Sequence, residues 1–329
     1  MNNTYALVTA VHRDRFELLY NGETIFARLR PTSYFGGNEL FPTVGDEVEI
    51  KYVPNGDSII NSTAPRRSFF LRTDPDPGRG VQAVAANFDY VFILTSMNHD
   101  FNPHRLERYL SAAWQSGGTP VILLTKLDLC ADPAPFIAEA AAAAAGCDVL
   151  ALSAHTGEGL DTLIPFIANG STAVLLGSSG VGKSSLINAL LGREVMRTGD
   201  IREDDSHGRH TTTHRQMIFL PDGGRLIDTP GMRALGLADS GGLSASFADI
   251  DELIQRCRFS DCSHKSEPGC AVQAALADGS LTADRWERYN ALLREAKYSE
   301  DREAYKRERT EKYKTIAKNT RLGKTKRKM

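Results

Sequence analysis

The sequence predicts three domains in succession: an N-terminal β-barrel of the OB type, a central parallel α/β domain, and a C-terminal, mainly α domain built around a metal. Three observations carry this. Short alternating apolar runs separated by turn dipeptides fill the first sixty residues, apolar strands alternate with helical stretches beyond residue 80, and four cysteine and histidine residues crowd into fourteen positions near residue 260.

At 329 residues and 41% hydrophobic, the chain is long enough for more than one core. Changes of texture place the barrel at 1–68 and a linker at 69–80, inside the proline-, glycine- and charge-rich "PRRSFFLRTDPDPGRG". The α/β domain follows at 81–245 and the metal-binding helical domain at 246–329. A formal net charge of -2 conceals a basic tail, in which Lys318, Arg321, Lys324, Lys326, Arg327 and Lys328 stand without an acid among them. Such a tail seeks a polyanion. The opening "MNNTYALVTAVHRDRF" lacks the basic, apolar and small-residue order of a secretory signal, and nowhere do eighteen apolar residues run together. The expectation is a cytoplasmic monomer with no membrane partner.

In the first domain the runs "ALVTAVH", "RFELLY", "TIFARLR" and "DEVEIKYV" alternate with turn signals, among them Asn21-Gly22 and Asn55-Gly56, as in a five-stranded barrel. In the second, "YVFILT", "HRLERYLSAAWQSG", "PVILLT", an alanine-rich helix and "DVLALS" alternate as in a parallel sheet covered by helices. Past Ser246 the chain turns helical. A helix from about Thr282 sets Trp286, Tyr289, Leu292 and Leu293 on one face, which reads as packing surface.

The strand Thr172–Leu176 runs into Gly177, Ser178, Ser179, Gly180, Val181, Gly182, Lys183 and Ser184, then into a helix from Ser185 to Leu191 closed by Gly192. This is a phosphate-binding loop in its strand-loop-helix context. Glycines let backbone N–H groups turn inward around phosphates, and the helix N-terminus adds partial positive charge. Lys183 is assigned to the β and γ phosphates and Ser184 to Mg²⁺.

The stretch "LLTKLDLC" decides the base. The tetrapeptide Thr125-Lys126-Leu127-Asp128 ends a strand, where ligands of such sheets sit. The Asp128 carboxylate accepts from both N1–H and the 2-amino group of guanine. Adenine offers neither, a mismatch of roughly 2–5 kcal/mol. Lys126 is expected to lie along the base, Thr125 stands where asparagine is commoner, and the next strand ends in Ser153-Ala154, whose second N–H suits the guanine O6. Further on, "RLIDTPGMR" gives Asp228, a water-mediated Mg²⁺ ligand, and Gly231, whose N–H senses the γ phosphate. The intervening "GRHTTTHRQ" offers Thr211, Thr212 or Thr213 as the remaining Mg²⁺ ligand, with Thr213 the candidate.

The order is base clasp, second base loop, phosphate loop, first switch, second switch: a GTPase set circularly permuted. Met232 follows D-T-P-G and cannot orient an attacking water as glutamine does, so intrinsic hydrolysis is expected to be slow and completed by a partner. His210 is the candidate for positioning that water.

In "CRFSDCSHKSEPGC", Cys257, Cys262, His264 and Cys270 are the ligand types of tetrahedral Zn²⁺, and four of them make a closed, structural site. Cys130 and Cys147 read as buried thiols.

Permuted GTPase elements between a barrel and a C-x4-C-x-H-x5-C segment resemble the bacterial ribosome-small-subunit-dependent GTPase A (RsgA) family. The resemblance extends to "VAANFD" at Val84 to Asp89, "RLERYL" at Arg105 to Leu110 and "GRHTTT" at Gly208 to Thr213. It implies a GTPase stimulated by the small (30S) ribosomal subunit, bound to its 16S rRNA late in maturation and released on hydrolysis. It further implies that Thr125 to Asp128 and Gly177 to Ser185 bind GTP, and that Cys257, Cys262, His264 and Cys270 hold zinc. RNA contacts on the barrel would come from a patch around residues such as Arg28, Arg30, Arg66 and Arg67. The alternative is an RNA-binding assembly module that uses GTP as a structural or gating ligand without stimulated turnover.

Overall fold

A computed structural model describes residues 4–30, 41–73, 81–144, 146–196, 215–228, 243–294 and 296. The chain forms two compact units, Met1–Leu235 and Gly236–Met329. His210, Thr211, Thr212, Thr213, Gly231, Met232 and the basic tail lie outside the described residues.

In the first unit, strands β1 (Tyr5–Val11), β2 (Phe16–Tyr20), β3 (Glu23–Leu29), β4 (Glu47–Lys51) and β5 (Ser58–Thr63) close a barrel. They pair in the order β1-β2-β3-β5-β4, and β4 returns to β1. β3 and β5 are parallel and the other pairs antiparallel. This is the OB arrangement expected. Alternate residues point inward, and Val8, Leu18, Ala27, Val48 and Ile60 are fully buried.

The central sheet contains β8 (Tyr90–Ser96), β9 (Thr119–Thr125), β10 (Asp148–Ala151), β11 (Thr172–Leu176), β12 (Arg215–Phe219) and β13 (Arg225–Asp228). The order is β10-β9-β8-β11-β13-β12, parallel except for β12. Its central strands are apolar on both sides because helices cover both faces. Val91, Ile93, Ile122, Leu124 and Val174 pack on one side with Leu106, Tyr109 and Leu110 of α1 (Pro103–Ser116) and Ala140 and Ala143 of α2 (Ala134–Ala143). Phe92, Leu94, Val121, Leu123 and Leu175 pack on the other with Ile167 of α3 (Ile164–Ile167) and Leu186 and Ile187 of α4 (Lys183–Leu191). The "RLERYL" segment is thus the packing face of α1, whose first turn is capped by Asn102, with Pro103 behind it, and whose end is capped by Gly117.

Barrel and central sheet are continuous. β1 pairs with β12 at Ala10 opposite Gln216 and Val11 opposite Arg215. A register shift between Val8 and Ala10 against β2 turns the end of β1 toward that partner. The residues expected to begin a linker form a strand instead: β6 (Phe69–Thr73) pairs with β7 (Val81–Ala86). Phe70 is buried against Phe88, which makes the segment part of the core.

"VAANFD" is the bolt of this junction. Ala86 N–H donates to Val44 O at 2.9 Å, Asn87 Nδ2 to Gly45 O at 3.0 Å, and Thr43 Oγ1 to Val84 O at 3.0 Å. Asp89 accepts the Thr172 N–H at 2.8 Å and pairs with Arg67. Partial burial raises the Asp89 pKa, but Arg67, the Thr172 amide and Arg225 together hold the carboxyl below its usual range. Arg66 is held as firmly, with a two-bond pair at 2.7 Å to the fully buried Asp46. Arg66 therefore serves the fold, whereas Arg67, although paired with Asp89, stays exposed at the surface.

The second unit contains α5 (Leu243–Ser246), α6 (Ala248–Gln255), α7 (Ala271–Asp278) and α8 (283–294) around a small core of Phe247, Ile250, Val272, Ala275, Tyr289 and Leu292. Trp286 and Leu293 pack on it as expected. Among the described residues no helix is long and apolar enough to cross a membrane.

Gly45 has φ +92°, and a Cβ there would lie 1.9 Å from Ala86 O. Gly45→Ala is expected to destabilise the first unit by about 2 kcal/mol or more, read as a lower urea midpoint. Because the folded pKa of Asp89 is depressed, its contribution is present above about pH 4 and lost as pH falls through the folded value. Asp89→Asn should therefore cost up to about 1 kcal/mol at neutral pH and nothing in acid, which urea titrations at the two pH values will show.

Candidate nucleotide site and metal cluster

β8 lies between β9 and β11 with all three parallel, so their carboxyl ends open onto one edge. That edge brings together two segments some fifty residues apart in the chain, Thr125–Asp128 and Gly177–Ser185. The tie is direct. Buried Thr125 donates through Oγ1 to Val181 O at 2.7 Å, inside the phosphate loop, and also lies 3.3 Å from Thr95 O. The Thr125 hydroxyl thus braces the two loops. Lys126 itself turns the chain with φ +64° into a short 3₁₀ turn, Leu127–Leu129, that carries Asp128 to the surface.

Ser153 is fully buried and donates to Asp128 Oδ1 at 2.5 Å. Its hydroxyl also accepts the N–H groups of His155 and Thr156 at 3.2 and 3.1 Å, which winds residues 153–157 around it. Two groups remain open on this edge. Among the described residues, Asp128 Oδ2 and the Ala154 N–H bond to nothing in the protein. A carboxylate oxygen and an amide N–H of these two loops are the group types that suit the N1–H, 2-amino and O6 edge of guanine.

The phosphate loop runs from Gly177 to Gly182 into α4. A Cβ on Gly177 would lie 2.7 Å from Leu94 O, so the loop can rest on β8 only as glycine. Ser178, Ser179 and Gly180 form the turn, and Val181 is buried beneath it. Lys183 Nζ donates to Gly177 O and Ser178 O at 2.6 Å each, which folds the ammonium over the loop where an anion would sit. Ser184 and Ser185 stand in the first turn of α4. Asp228 ends β13 opposite Leu175 and is buried beside the loop's own strand.

In the second unit the four ligand atoms of Cys257, Cys262, His264 and Cys270 lie within 4.8 Å of one another. Cys257 Sγ is 3.9 Å from Cys270 Sγ and 3.5 Å from His264 Nδ1, and Cys270 Sγ is 3.6 Å from that nitrogen. Tetrahedral bonds of about 2.3 Å to sulfur and about 2.0 Å to nitrogen require separations of about 3.8 and 3.5 Å. The donor set therefore fits a metal. Sequence reasoning missed its supports. The Glu267 carboxylate accepts the N–H groups of Ser263, Lys265 and Ser266 at 2.8–3.1 Å, and Gln273 donates through its side chain to His264 O at 2.7 Å and through its amide to Cys270 Sγ at 3.4 Å. The first acidic residue after His264 is the only signal that pointed to Glu267.

Cys130 and Cys147 are free and half-buried, less enclosed than expected. Burial and the neighbouring Asp148 push the Cys147 thiol up to about 11, which keeps it protonated and inert.

A phosphate loop preceded in the chain by its base clasp, on a parallel sheet, defines a circularly permuted GTPase. The sequence pattern of the family described as RsgA GTPase matches residues 63–238. The chain is 45% identical over 323 residues, 97% of its length and 92% of the other, to a Listeria innocua protein named small ribosomal subunit biogenesis GTPase RsgA 1. A Methanosarcina acetivorans protein named small ribosomal subunit biogenesis GTPase RsgA is 42% identical over 316 residues, 95% of this chain and 85% of that one. Among solved structures, YjeQ from Thermotoga maritima superposes with a TM-score of 0.67 at 25% identity, covering 89% of this chain and 98% of that one. This chain belongs to the RsgA GTPase family.

Ser153→Ala frees Asp128 and leaves the 153–157 loop unwound. Affinity for GTP is expected to fall about tenfold in calorimetry, with any affinity for ATP unchanged. Trp286 packs edge-on to His264 at a 5.7 Å centroid distance. Removing metal with a chelator should change tryptophan emission and helix content while leaving nucleotide affinity intact.

Proposed function

We propose that this GTPase binds the small (30S) ribosomal subunit and its 16S rRNA, is stimulated by that subunit, and uses hydrolysis of GTP to GDP to couple late subunit maturation to its own release. The observation that supports it most is the direct tie between clasp and phosphate loop, Thr125 to Val181, on a sheet that runs unbroken into an OB-type barrel. Such barrels serve widely as RNA platforms. The relatives named for small-subunit biogenesis span nearly the whole chain.

In this reading Asp128, oriented by Ser153, selects guanine, Ala154 donates to O6, and Thr125, Lys126 and Leu127 shape the clasp. Gly177 to Gly182 wrap the phosphates with their amides, and Lys183 and the first turn of α4 neutralise them. Ser184, Asp228 through a water, and Thr213 hold Mg²⁺, which would offset charge on the β and γ phosphates. Gly231 reads the γ phosphate and His210 positions the attacking water. Met232 cannot do so, which makes dependence on a partner intelligible. Cys257, Cys262, His264 and Cys270 hold one structural Zn²⁺, and the protein works as a cytoplasmic monomer. The domains follow the limits 1–68, 81–245 and 246–329.

β12 joins the barrel directly to the chain that leaves residues 208–214, the proposed first switch. RNA that fixes the barrel therefore bears on the placement of the switch through a single strand pair.

GTP turnover should rise strongly with purified small subunits and not with large subunits or with ATP. Lys183→Ala should lower the stimulated rate at least a hundredfold with metal content unchanged. GTP binding without a rise in turnover would favour the assembly-module reading.

A further inference from the structure

Among the described aromatic side chains of the second unit, one is left in water. Phe247 and Tyr289 are buried and Trp286 lies between His264 and Tyr289, whereas Phe259 is 42% exposed. It does not sit on a loose loop. Arg258 N–H donates to Gly269 O at 3.1 Å, and Cys262 N–H donates to Phe259 O at 3.3 Å. On the returning side of the loop, a Cβ at Gly269 would stand 3.1 Å from Arg258 Cβ, so the two sides are in close contact. Glu267 fixes the next turn through the amides of Ser263, Lys265 and Ser266. The fold holds this ring outward, with its ordering cost met before any partner arrives.

The surroundings of the ring choose the partner. The Arg258 guanidinium lies over the Phe259 ring, 5.5 Å from its centroid, and Lys265 is exposed in the same loop. Of the nearby carboxylates, Glu267 is occupied by loop amides and Glu252 by Arg256, which leaves Asp261 as the free acid of the loop. Ser260 and Asp261 follow the ring and Arg258 precedes it, so its neighbours in the chain are polar rather than the apolar run that would extend it into a larger patch. A lone aromatic face beside a guanidinium matches instead an unpaired nucleotide, with the ring for the base and the cation for its phosphate.

We propose that Phe259, assisted by Arg258, stacks on an unpaired base of RNA bound to this GTPase. The proposal rests on the reading of the chain as a ribosome-bound GTPase. It is tested with the full-length, metal-loaded protein by co-sedimentation with small subunits in a non-hydrolysable GTP analogue. Absence of wild-type binding would remove the parent reading first. Given wild-type binding, Phe259→Ala is expected to weaken it about 5- to 100-fold, with metal content and nucleotide affinity unchanged. Phe259→Tyr should restore affinity and Phe259→Leu should not. Arg258→Ala should weaken binding and lower the slope of log affinity against log salt by about one. Wild-type affinity of Phe259→Ala would overturn the proposal, as would full rescue by leucine, which would identify an apolar protein contact.

Discussion

The nucleotide edge of this protein is tied together by one buried hydroxyl that reaches across a strand. Thr125 ends β9, Val181 lies in the loop after β11, and the bond between them spans the width of β8. The bond forms because the three strands are parallel and in register, packed from both faces by α1 and α2 on one side and α3 and α4 on the other. Sheet geometry takes no account of which strand came first in the chain. The base clasp can therefore precede the phosphate loop and still stand beside it, which is the physical content of the permutation.

The same sheet explains why the barrel is not a tethered accessory. Its first strand is shared between barrel and central sheet, and the turn at Gly45 is locked against Ala86 and Asn87. Asp46 draws Arg66 inward, and Asp89 pairs with Arg67 at the surface, so two cations of the N-terminal region take part in making the junction.

The second unit solves a different problem. Its apolar core is small, and the loop from Cys257 to Cys270 contributes little to it beyond Cys270. Four converging ligand atoms, a carboxylate accepting three loop amides and a stack from His264 through Trp286 to Tyr289 replace the missing apolar burial. The consequence is a rigid loop whose tip can afford an exposed ring.

Much of this was legible in the amino-acid sequence because the relevant physics is local. Period-two runs wrote the barrel strands, the strand, glycine loop and helix wrote the phosphate loop to within a residue or two, and four ligand residues within fourteen positions wrote the metal cluster. What remained hidden involves partners distant in the chain. Nothing near Thr125 says that its hydroxyl will brace a loop fifty-six residues away, nor that Ser153 will hold Asp128. "VAANFD" stood out as a pattern, but its work as a junction needed Gly45, Arg67 and Thr172 in place. By itself the sequence determined which elements form and which chemistry they carry, since both depend on neighbours within a turn or a strand. Only the tertiary structure decided which arginines are spent, which hydroxyls tie loops together and which aromatic ring stays in water, because each of these is settled by competition among groups that the chain brings together only when it folds.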